Sequence, residues 1–457
     1  MKITTNTPFI ISLFMCLIPL YSIAQTDDDI EVLDEPEELV QTNTSVGLNR
    51  YTLGNGITFV SKTDSYRLNM SGYVQLSGIG TMYSGDDELY TRFRVRRARI
   101  RLNGRAFNDK IRYRLGLDMV KGSETDGDGS MLSDAWIQYR PWGNGKLAIT
   151  MGQRSTPTDN RELLTSTYTL QLVERSKLSS VFGTIREVGV FAEGSYKIGT
   201  KSYLRPSLAI TDGSGSITLN KRYGGFKYGA RINYLPFGLF RMAGEGREGD
   251  MVYELSPKLV IGATYSYSDG TSDRRGGRDN GSILYMNDKN RIDLPDMAKF
   301  TADFMFKYHG WSLMGEYVKT WGYVSSSITK RVRNDGSTTT DFKIDGVQNV
   351  RDYILNRMMI GSGFNIQGGY MFRSLWSIDG RYTHLMPDQY SYMNNDLYFN
   401  RNNIYDIGVT KYLTKSYAAK IQATVSFAKA DGTARKFNGE TFTGWEKNFM
   451  LLFQLAF

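Results

Sequence analysis

The last fourteen residues of the chain, GWEKNFMLLFQLAF, constrain its fold more than any other stretch. Large apolar side chains stand at every second position, and a period of two predicts a β-strand. They are Phe449, Leu451, Phe453, Leu455 and the terminal Phe457, and they alternate with Asn448, Met450, Leu452, Gln454 and Ala456. No soluble partner element follows this strand. We therefore expect its apolar face to contact lipid and its other face to line a water-filled lumen.

The same alternation recurs from about Tyr66 to the end of the chain, in sixteen segments by our count. Clear examples are residues 68–76, 111–119, 259–267, 300–308 and 419–427. Each segment has about the nine to eleven residues that a tilted membrane strand requires. A soluble sandwich would not need an apolar face on all sixteen, and we find no fixed-period repeat that would indicate a solenoid. The pattern predicts an all-β fold, a transmembrane antiparallel β-barrel of about sixteen strands.

The connections between these segments alternate in length. Short links, rich in polar and turn residues, occur at 107–109, 141–145, 198–201, 309–310, 373–374 and 414–416. Longer polar links occur at 80–89, 121–130, 154–186, 211–224, 269–296, 322–356, 386–400 and 429–444. Short periplasmic turns and long outer loops are typical of porins. The exception is 236–256, a turn that should be short and is not.

The N-terminus has the features of a secretory signal. Lys2 precedes an apolar run that ends at a small-x-small site, Ser22-Ile23-Ala24, so residues 1–24 are predicted to be a signal peptide that is removed together with the only cysteine. The next residues contain eight acids and no base. We expect residues 25–64 to be an acidic, disordered periplasmic segment and residues 65–457 to be an outer-membrane barrel.

The net charge indicates the partners of the barrel. The chain has 56 bases and 47 acids, of which one base, Lys2, and eight acids fall in residues 1–38. Residues 39–457 therefore contain 55 bases and 39 acids, a net charge of +16. A basic excess can indicate nucleic acid. In a secreted barrel it favours small inorganic anions instead, with outer-membrane lipid as the surrounding partner and no nucleic acid.

One segment concentrates arginine. Residues 93–104 read FRVRRARIRLNG, and the apolar positions change parity at Arg96-Arg97. A β-bulge there would turn both apolar sets to lipid. The lumen would then receive Arg92, Arg94, Arg99, Arg101 and Arg105, one or both of Arg96 and Arg97, and from the next strand Arg112 and Arg114.

These arginines favour a cationic track for anions. A turn near Asn108 would set Arg101 roughly opposite Arg114, and like charges placed opposite each other are destabilising. If stability alone determined the sequence of these strands, two arginines would not be placed opposite each other. The alternative is that the arginines pair with acids on neighbouring strands or on an inserted loop. Six acids are available for this: Asp118, Asp134, Asp159, Glu162, Glu174 and Glu187.

The third long connection, residues 154–186, has thirty-three residues, and loops of this length usually have a functional role beyond joining two strands. We expect it to fold into the barrel and narrow the pore. Its anion-binding candidates are Arg161, Arg175 and Arg186, which would face Arg97 and Arg99 across the constriction.

Several short motifs occur together in one order. They are FRVRRARIRLNG, DAWIQYRP (134–141), MGQ (151–153), ERS (174–176), REVG (186–189), TDGSG (211–215) and the terminal Phe457. In this order and spacing the chain resembles the phosphate-selective porin O and P family, from about residue 66 to the end. The resemblance implies sixteen strands, a homotrimer, an arginine-rich pore and passive uptake of phosphate, polyphosphate or related anions.

Enzyme chemistry finds little support. His309 and His384 accompany no nucleophile motif, and no cofactor or metal site is predicted. Residues 126–130 resemble the start of a calcium loop, but Met131 and Ile137 replace the glycine and glutamate that such a loop requires. The alternative to a porin is a non-channel barrel that serves as a docking partner for other envelope proteins.

Overall fold

The alternation of apolar and polar residues produces one closed antiparallel sheet. The computed structural model describes residues 50–120, 131–142, 145–213, 223–272, 284–333, 335–391 and 400–457. Within these residues, sixteen strands form the barrel wall, which confirms the predicted fold class. They are β1 (Tyr66–Tyr83), β2 (Tyr90–Ala106), β3 (Ile111–Asp118), β4 (Leu132–Tyr139), β5 (Leu147–Arg154), β6 (Glu187–Gly194, continued by Tyr196–Lys197), β7 (Tyr203–Thr211), β8 (Lys227–Leu235), β9 (Lys258–Ser268), β10 (Asp296–Tyr308), β11 (Trp311–Tyr323), β12 (Gly361–Met371), β13 (Trp376–Pro387), β14 (Arg401–Tyr412), β15 (Ala419–Arg435) and β16 (Thr441–Ala456).

The barrel closes because its last strand pairs with its first. β16 opposes β1 from Ala456 and Tyr73 to Glu446 and Tyr83. Along β16, Leu451 is 43% exposed, whereas the adjacent Leu452 is 1% exposed. The apolar face predicted from the end of the chain therefore points away from the lumen, where it can contact lipid.

Ordered structure begins earlier than the sequence predicts. A hairpin of two short strands, Arg50–Thr52 and Gly56–Val60, precedes β1. Its second strand pairs with the start of β1, placing Ile57 opposite Met70. Strand pairing satisfies backbone groups that the end of β16 leaves open on this edge. The predicted boundary at residue 65 is thus too late, while the predicted signal peptide and the acidic residues 25–49 lie outside the described residues.

The two ends of the barrel differ as expected, with one exception, the final loop. Tight turns connect strands at one end, the turn end, and longer connections lie at the other, the loop end. The final loop is shorter than predicted because β15 and β16 continue to Arg435 and from Thr441, which leaves only residues 436–440 between them. The turn at 236–257 is long, as its sequence indicates. Among the described residues, no helix is long and apolar enough to span a bilayer.

At the loop end, two outer loops form a small folded cap. It contains the short strands Tyr285–Asn287, Ile328–Val332, Thr338–Thr339, Lys343–Ile344 and Val347–Gln348 and the helix Val350–Leu355. Tyr285, Phe342 and Ile354 are buried in its apolar centre. Burial of such side chains gives the cap its own core.

The third outer loop, residues 155–186, folds into the lumen and contacts the inner faces of β11, β13 and β15. It contains two short helices, α1 (Arg161–Leu164) and α2 (Lys177–Phe182). Ser176 caps α2 by accepting a hydrogen bond from the Ser179 N–H at 3.2 Å. Leu178, Val181 and Phe182 pack against Val318 of β11 and Leu385 of β13. The prediction of an inward-folded third loop is confirmed.

Candidate functional site

A β-bulge in β2 turns the arginine-rich stretch toward the lumen. Arg97 lies opposite Gln75 and Val95 lies opposite Leu76, so Arg96 has no partner of its own across the strand pair. The predicted bulge at Arg96-Arg97 is therefore present. As a result, arginines on both sides of the bulge share the lumen face, whereas Phe93 is 91% exposed on the outer face. We call the lumen face of β2, β3 and β4 the arginine wall.

Near the loop end of this wall, one carboxylate pairs with three guanidinium groups. Glu174 of the inward loop accepts from Arg96, from Arg97 at 3.3 Å and from Arg94 at 3.5 Å. Burial alone would raise the pKa of Glu174, but the charges of Arg97, Arg96 and Arg94 outweigh it and hold the pKa at about 2. Arg92, further toward the loop end, is exposed.

In the middle of the wall, two neighbouring arginines have different partners. Arg99 donates to Asp118 at 2.7 Å and to the Thr167 hydroxyl at 3.0 Å. Arg101 donates to the Ser166 hydroxyl at 3.4 Å, and its guanidinium lies 5.6 Å from the centre of the Tyr73 ring. Among the described residues, no carboxylate lies within ion-pair distance of Arg101. Its charge therefore remains directed at the lumen.

Toward the turn end, the strand register differs from the predicted one. Arg114 lies opposite Asn103, whose side chain accepts from it at 2.5 Å, and Arg101 lies opposite Gly116. The turn at 107–110 uses three consecutive residues with positive φ and pairs Ala106 with Ile111, which shifts the register. Directly opposed like charges occur instead at Arg105 and Arg112.

Acidic residues near the turn reduce the repulsion between Arg105 and Arg112. Arg112 makes two parallel hydrogen bonds to Asp109, at 2.7 and 2.8 Å. Arg105 donates to Asp64 at 2.9 Å. The electrostatic cost that the sequence suggested for the wall is therefore smaller than expected at this level.

The inward loop brings two of its predicted arginines to this wall. Arg175 donates to the carbonyl oxygens of Thr165 at 2.7 Å and Glu162 at 3.3 Å. Arg186 donates to Asp134 of β4 at 3.2 Å. Arg175 is within electrostatic range of Glu162 and Glu248 as well as of Arg99 and Arg186, and Asp134 is within range of Arg186, Arg114 and Arg101. We call Arg99, Arg101, Arg175 and Arg186, together with Asp134, the constriction cluster.

The third predicted loop arginine lies elsewhere. Arg161 is 2% exposed and donates to Asp303 of β10 at 2.6 Å and to Asn233 of β8 at 2.8 Å. Asp303 also accepts from Arg231 at 2.7 Å. Arg161 therefore holds the loop against the opposite side of the barrel and does not join the constriction cluster. We call this side, the lumen face of β8–β15 beneath the loop, the loop-covered wall.

The loop-covered wall binds the loop through many buried polar contacts. Glu162 accepts from the backbone N–H of Ser176 at 2.7 Å and pairs with Arg381 of β13 at 3.3 Å. Lys420 of β15 donates to the Leu170 carbonyl at 2.7 Å. Lys299 of β10 pairs with Asp159. Buried charges need such partners because their desolvation is costly.

The six acids considered as neutralising partners divide between the two walls. Glu174, Asp118 and Asp134 pair with predicted pore arginines. Asp159, Glu162 and Glu187 pair instead with Lys299, Arg381 and Lys227. Most of the predicted pore arginines therefore have a carboxylate partner, as the alternative proposed, and three of these partners, Asp64, Asp109 and Asp303, lie outside the six acids. Arg101 and Arg175 have no ion pair among the described residues.

A second inward segment comes from the turn end. Residues 236–257 place Glu248, which is 2% exposed, against the loop, where it accepts from the Gln171 N–H at 2.9 Å and from Gln367 at 2.9 Å. Tyr417 donates to the Glu248 carbonyl at 2.7 Å. The unusual length of this turn was the available sequence signal, but its contact with the third loop was not predictable from it.

A family model described as phosphate-selective porin O and P matches residues 81–347. Among solved structures, the outer membrane channel DcaP of Acinetobacter baumannii is 13% identical with a TM-score of 0.48, covering 88% of this chain and 100% of that chain. An anion-selective porin from Comamonas acidovorans is 10% identical with a TM-score of 0.47, covering 86% and 100%. OprB of Pseudomonas putida is 10% identical with a TM-score of 0.48, covering 85% and 94%. No curated protein sequence matches the chain.

Proposed function

The chain belongs to the phosphate-selective porin O and P family and is a bacterial outer-membrane porin, and from this premise we propose that its pore prefers anions and conducts phosphate by passive diffusion. Two arginines of the constriction cluster carry the proposal. Arg101 and Arg175 are half-buried, and their described partners are hydroxyl, ring and carbonyl groups without charge. Their positive charge is available to a passing anion.

The arrangement is compatible with conduction because no single site binds an anion tightly. A unit charge at 4 Å through water contributes only about 1 kcal/mol. Several such charges in series produce a clear ion preference while each site still releases its ion. The predicted track supplies that series. Arg92, Arg94 and Arg97 lie on the loop-end side of the cluster, and Arg105, Arg112 and Arg114 lie on its turn-end side.

Phosphate gains more than chloride from these groups. A guanidinium fork gives a phosphate two parallel hydrogen bonds, whereas chloride gains only point attraction. Arginines at alternate positions of β2 repeat about every 7 Å, so a polyphosphate would also find successive partners. We infer a homotrimer from the family, and cross-linking of the detergent-extracted protein tests it.

The decisive experiment measures ion selectivity in a planar bilayer. In a KCl gradient the wild-type reversal potential should indicate anion preference. The double variant Arg99→Glu, Arg101→Glu should move it toward cation selectivity because two charges of the constriction cluster change sign. Millimolar phosphate should reduce the wild-type chloride current.

The control is Arg351→Glu. Arg351 lies on the helix of the outer cap, and its side chain is 69% exposed. This variant should leave the reversal potential unchanged, and heat-dependent gel mobility should verify that each variant forms a barrel. An unchanged potential in a folded double variant would contradict the arginine track. Absence of any current in the wild type would favour the docking barrel over a channel.

A further inference from the structure

Two lysines lie on the outer surface of the barrel near its loop end. β15 begins at Ala419 at the turn end, and Lys429 is its eleventh residue. β16 ends at Ala456 at the turn end, and Lys447 is the tenth residue counted back from there. Because about nine to eleven residues of a tilted strand cross the bilayer, both lysines reach the outer membrane surface.

Both side chains point away from the lumen. Lys447 has the parity of Phe449 and Leu451, which are exposed on the outer face. Lys429 lies directly opposite Trp445 on the same face, and both lysines are exposed. A charge on the lipid face of a barrel is costly at the bilayer midplane and costs little at the interfaces. The level of the two lysines agrees with this requirement.

Aromatic rings lie beside the lysines at the same level. The rings of Tyr382 and Tyr405 stack with 4.8 Å between their centres, and the centres of Tyr405 and Trp445 are 6.1 Å apart. Belts of tyrosine and tryptophan lie at the level of the lipid headgroups. The neighbours of the two lysines in the membrane are therefore headgroups and not acyl chains.

The two cations have no anionic partner in the described part of the chain, where no carboxylate lies within ion-pair distance of either. Glu446 points to the inner face and pairs with Arg401. Asp431, beyond Lys429 toward the loop end, accepts from the backbone N–H and the hydroxyl of Thr433, both at 2.9 Å. Lys429 and Lys447 are diagonal neighbours on adjacent strands, about 7–8 Å apart, so an anion between them would reduce their mutual repulsion.

A hydrogen-bond donor completes the patch. Asn403 of β14 lies opposite Lys429. Its Oδ1 accepts from the Tyr382 hydroxyl at 2.8 Å and lies 2.8 Å from Nδ1 of His384. These contacts fix the amide group, and among the described residues none accepts a hydrogen bond from its N–H groups. The amide can therefore donate to a group in the headgroup layer.

A β-bulge places this donor on the outer face. The pairing of β14 with β15 skips Asn402. Without the extra residue, Arg401 and Asn403 would share one face of the strand. With it, Arg401 turns inward to Glu446, whereas Asn403 faces the lipid.

We propose that Lys429, Lys447 and Asn403 bind a phosphate group of an anionic lipid in the outer leaflet. The two ammonium groups and the amide donate to the phosphate oxygens, and the lipid chains lie along the apolar face formed by Phe449 and Leu451. Charge complementarity selects this occupant, because the surface contacts lipid and its two cations lack carboxylate partners. The site lies outside the pore and does not depend on the proposed ion selectivity.

The test measures lipid binding by native mass spectrometry of the detergent-purified barrel. The probes are diphosphoryl lipid A and the same lipid after enzymatic removal of both phosphates. The wild type should bind the diphosphoryl form about twentyfold more tightly, since each lysine at a lipid surface contributes about fivefold. Millimolar inorganic phosphate, which has no chains to contact the apolar face, should not displace the lipid.

Three variants make the result specific. The double variant Lys429→Gln, Lys447→Gln should bind the two lipids with nearly equal affinity. Asn403→Ala should lose about threefold in affinity for the diphosphoryl form, the scale of one hydrogen bond. The control is Lys411→Gln on the outer face at the turn end, where the Lys411 ammonium donates to the Ser374 carbonyl at 2.8 Å and lies 5.1 Å from the centre of the Trp376 ring. This control should bind both lipids as the wild type does.

The outcomes separate this site from a protein interface and from the porin proposal. Equal affinity of the wild type for the two lipids would overturn the site, as would a phosphate preference that survives in the folded double variant. If the double variant changes the size of the detergent-extracted oligomer and leaves lipid binding intact, the lysines face a second copy of the chain and the lipid site is wrong. The reversal potential should be that of the wild type in all three variants, so the proposed function is tested independently.

Discussion

The arginine wall and the loop-covered wall use the same residue types for different purposes. Beneath the loop, the side chains of Arg231 and Arg381 are 0% and 4% exposed, and each pairs with a buried carboxylate. In the arginine wall the side chains of Arg94 and Arg105 remain 21% and 29% exposed. Their carboxylate partners, Glu174 and Asp64, are also partly exposed, so water can solvate both members of each pair and the pairs are less costly to separate.

This difference shows that arginine content alone does not identify a pore-lining residue. A cation buried with its carboxylate acts as an attachment point for the loop, because breaking the pair would leave an uncompensated charge. A cation beside water interacts weakly with its partner and can exchange it for a passing ion. Arg161 belongs to the first class and Arg101 to the second, although the sequence assigns both to the pore.

The largest difference between the walls should appear when the same substitution is made in each. Asp303→Asn removes the charge that Arg161 and Arg231 share in the loop-covered wall. We expect a loss of about 3–5 kcal/mol in the free energy of unfolding, because two buried cations lose their partner. The loop should also loosen and conductance should rise. Denaturant-dependent gel mobility and single-channel recording measure the two effects.

Asp118→Asn is the matched change in the arginine wall. Asp118 pairs with Arg99, and both side chains keep some contact with the lumen. Stability should fall by less than about 1 kcal/mol. The anion-to-cation permeability ratio should rise, by at most about fivefold, because one negative charge leaves the pathway. If Asp118→Asn and Asp303→Asn destabilise the barrel equally, the distinction between the walls is incorrect.

The smallest effect concerns pH. Glu174 joins the loop to the arginine wall, and its pKa of about 2 lies below the ordinary value for glutamate. A depressed pKa contributes stability that is complete above the ordinary value and is lost as pH falls through the lowered one. Conductance should therefore stay constant between pH 8 and pH 5 and change only below about pH 4. Glu174→Gln should abolish the acid-side change; persistence of that change would assign it to another group.

Local pattern was sufficient for the fold and for much of the arginine wall. Period-two alternation identified the strands because each membrane strand must separate a lipid face from a water face, and this requirement acts residue by residue. It also located the bulge at Arg96-Arg97, since the change of parity is visible in the sequence alone. The length of residues 154–186 predicted the inward loop for a similar local reason.

Register and pairing depended on tertiary structure. The turn at 107–110 set the register of β2 and β3, and a shift of the pairing changes which arginines oppose each other. The inward position of the turn at 236–257, with Glu248 against the loop, likewise arises only when the barrel encloses both segments.

The sequence by itself determined a sixteen-stranded barrel with an arginine-rich face and a long third loop, because these properties follow from local periodicity and length. The tertiary structure decided which charges are buried as attachment points and which face the lumen. Arg161 meets Asp303 across 142 positions of the chain, and no local pattern encodes that distance. The function of each arginine follows from its partner and its access to water, and both are set by the closed barrel.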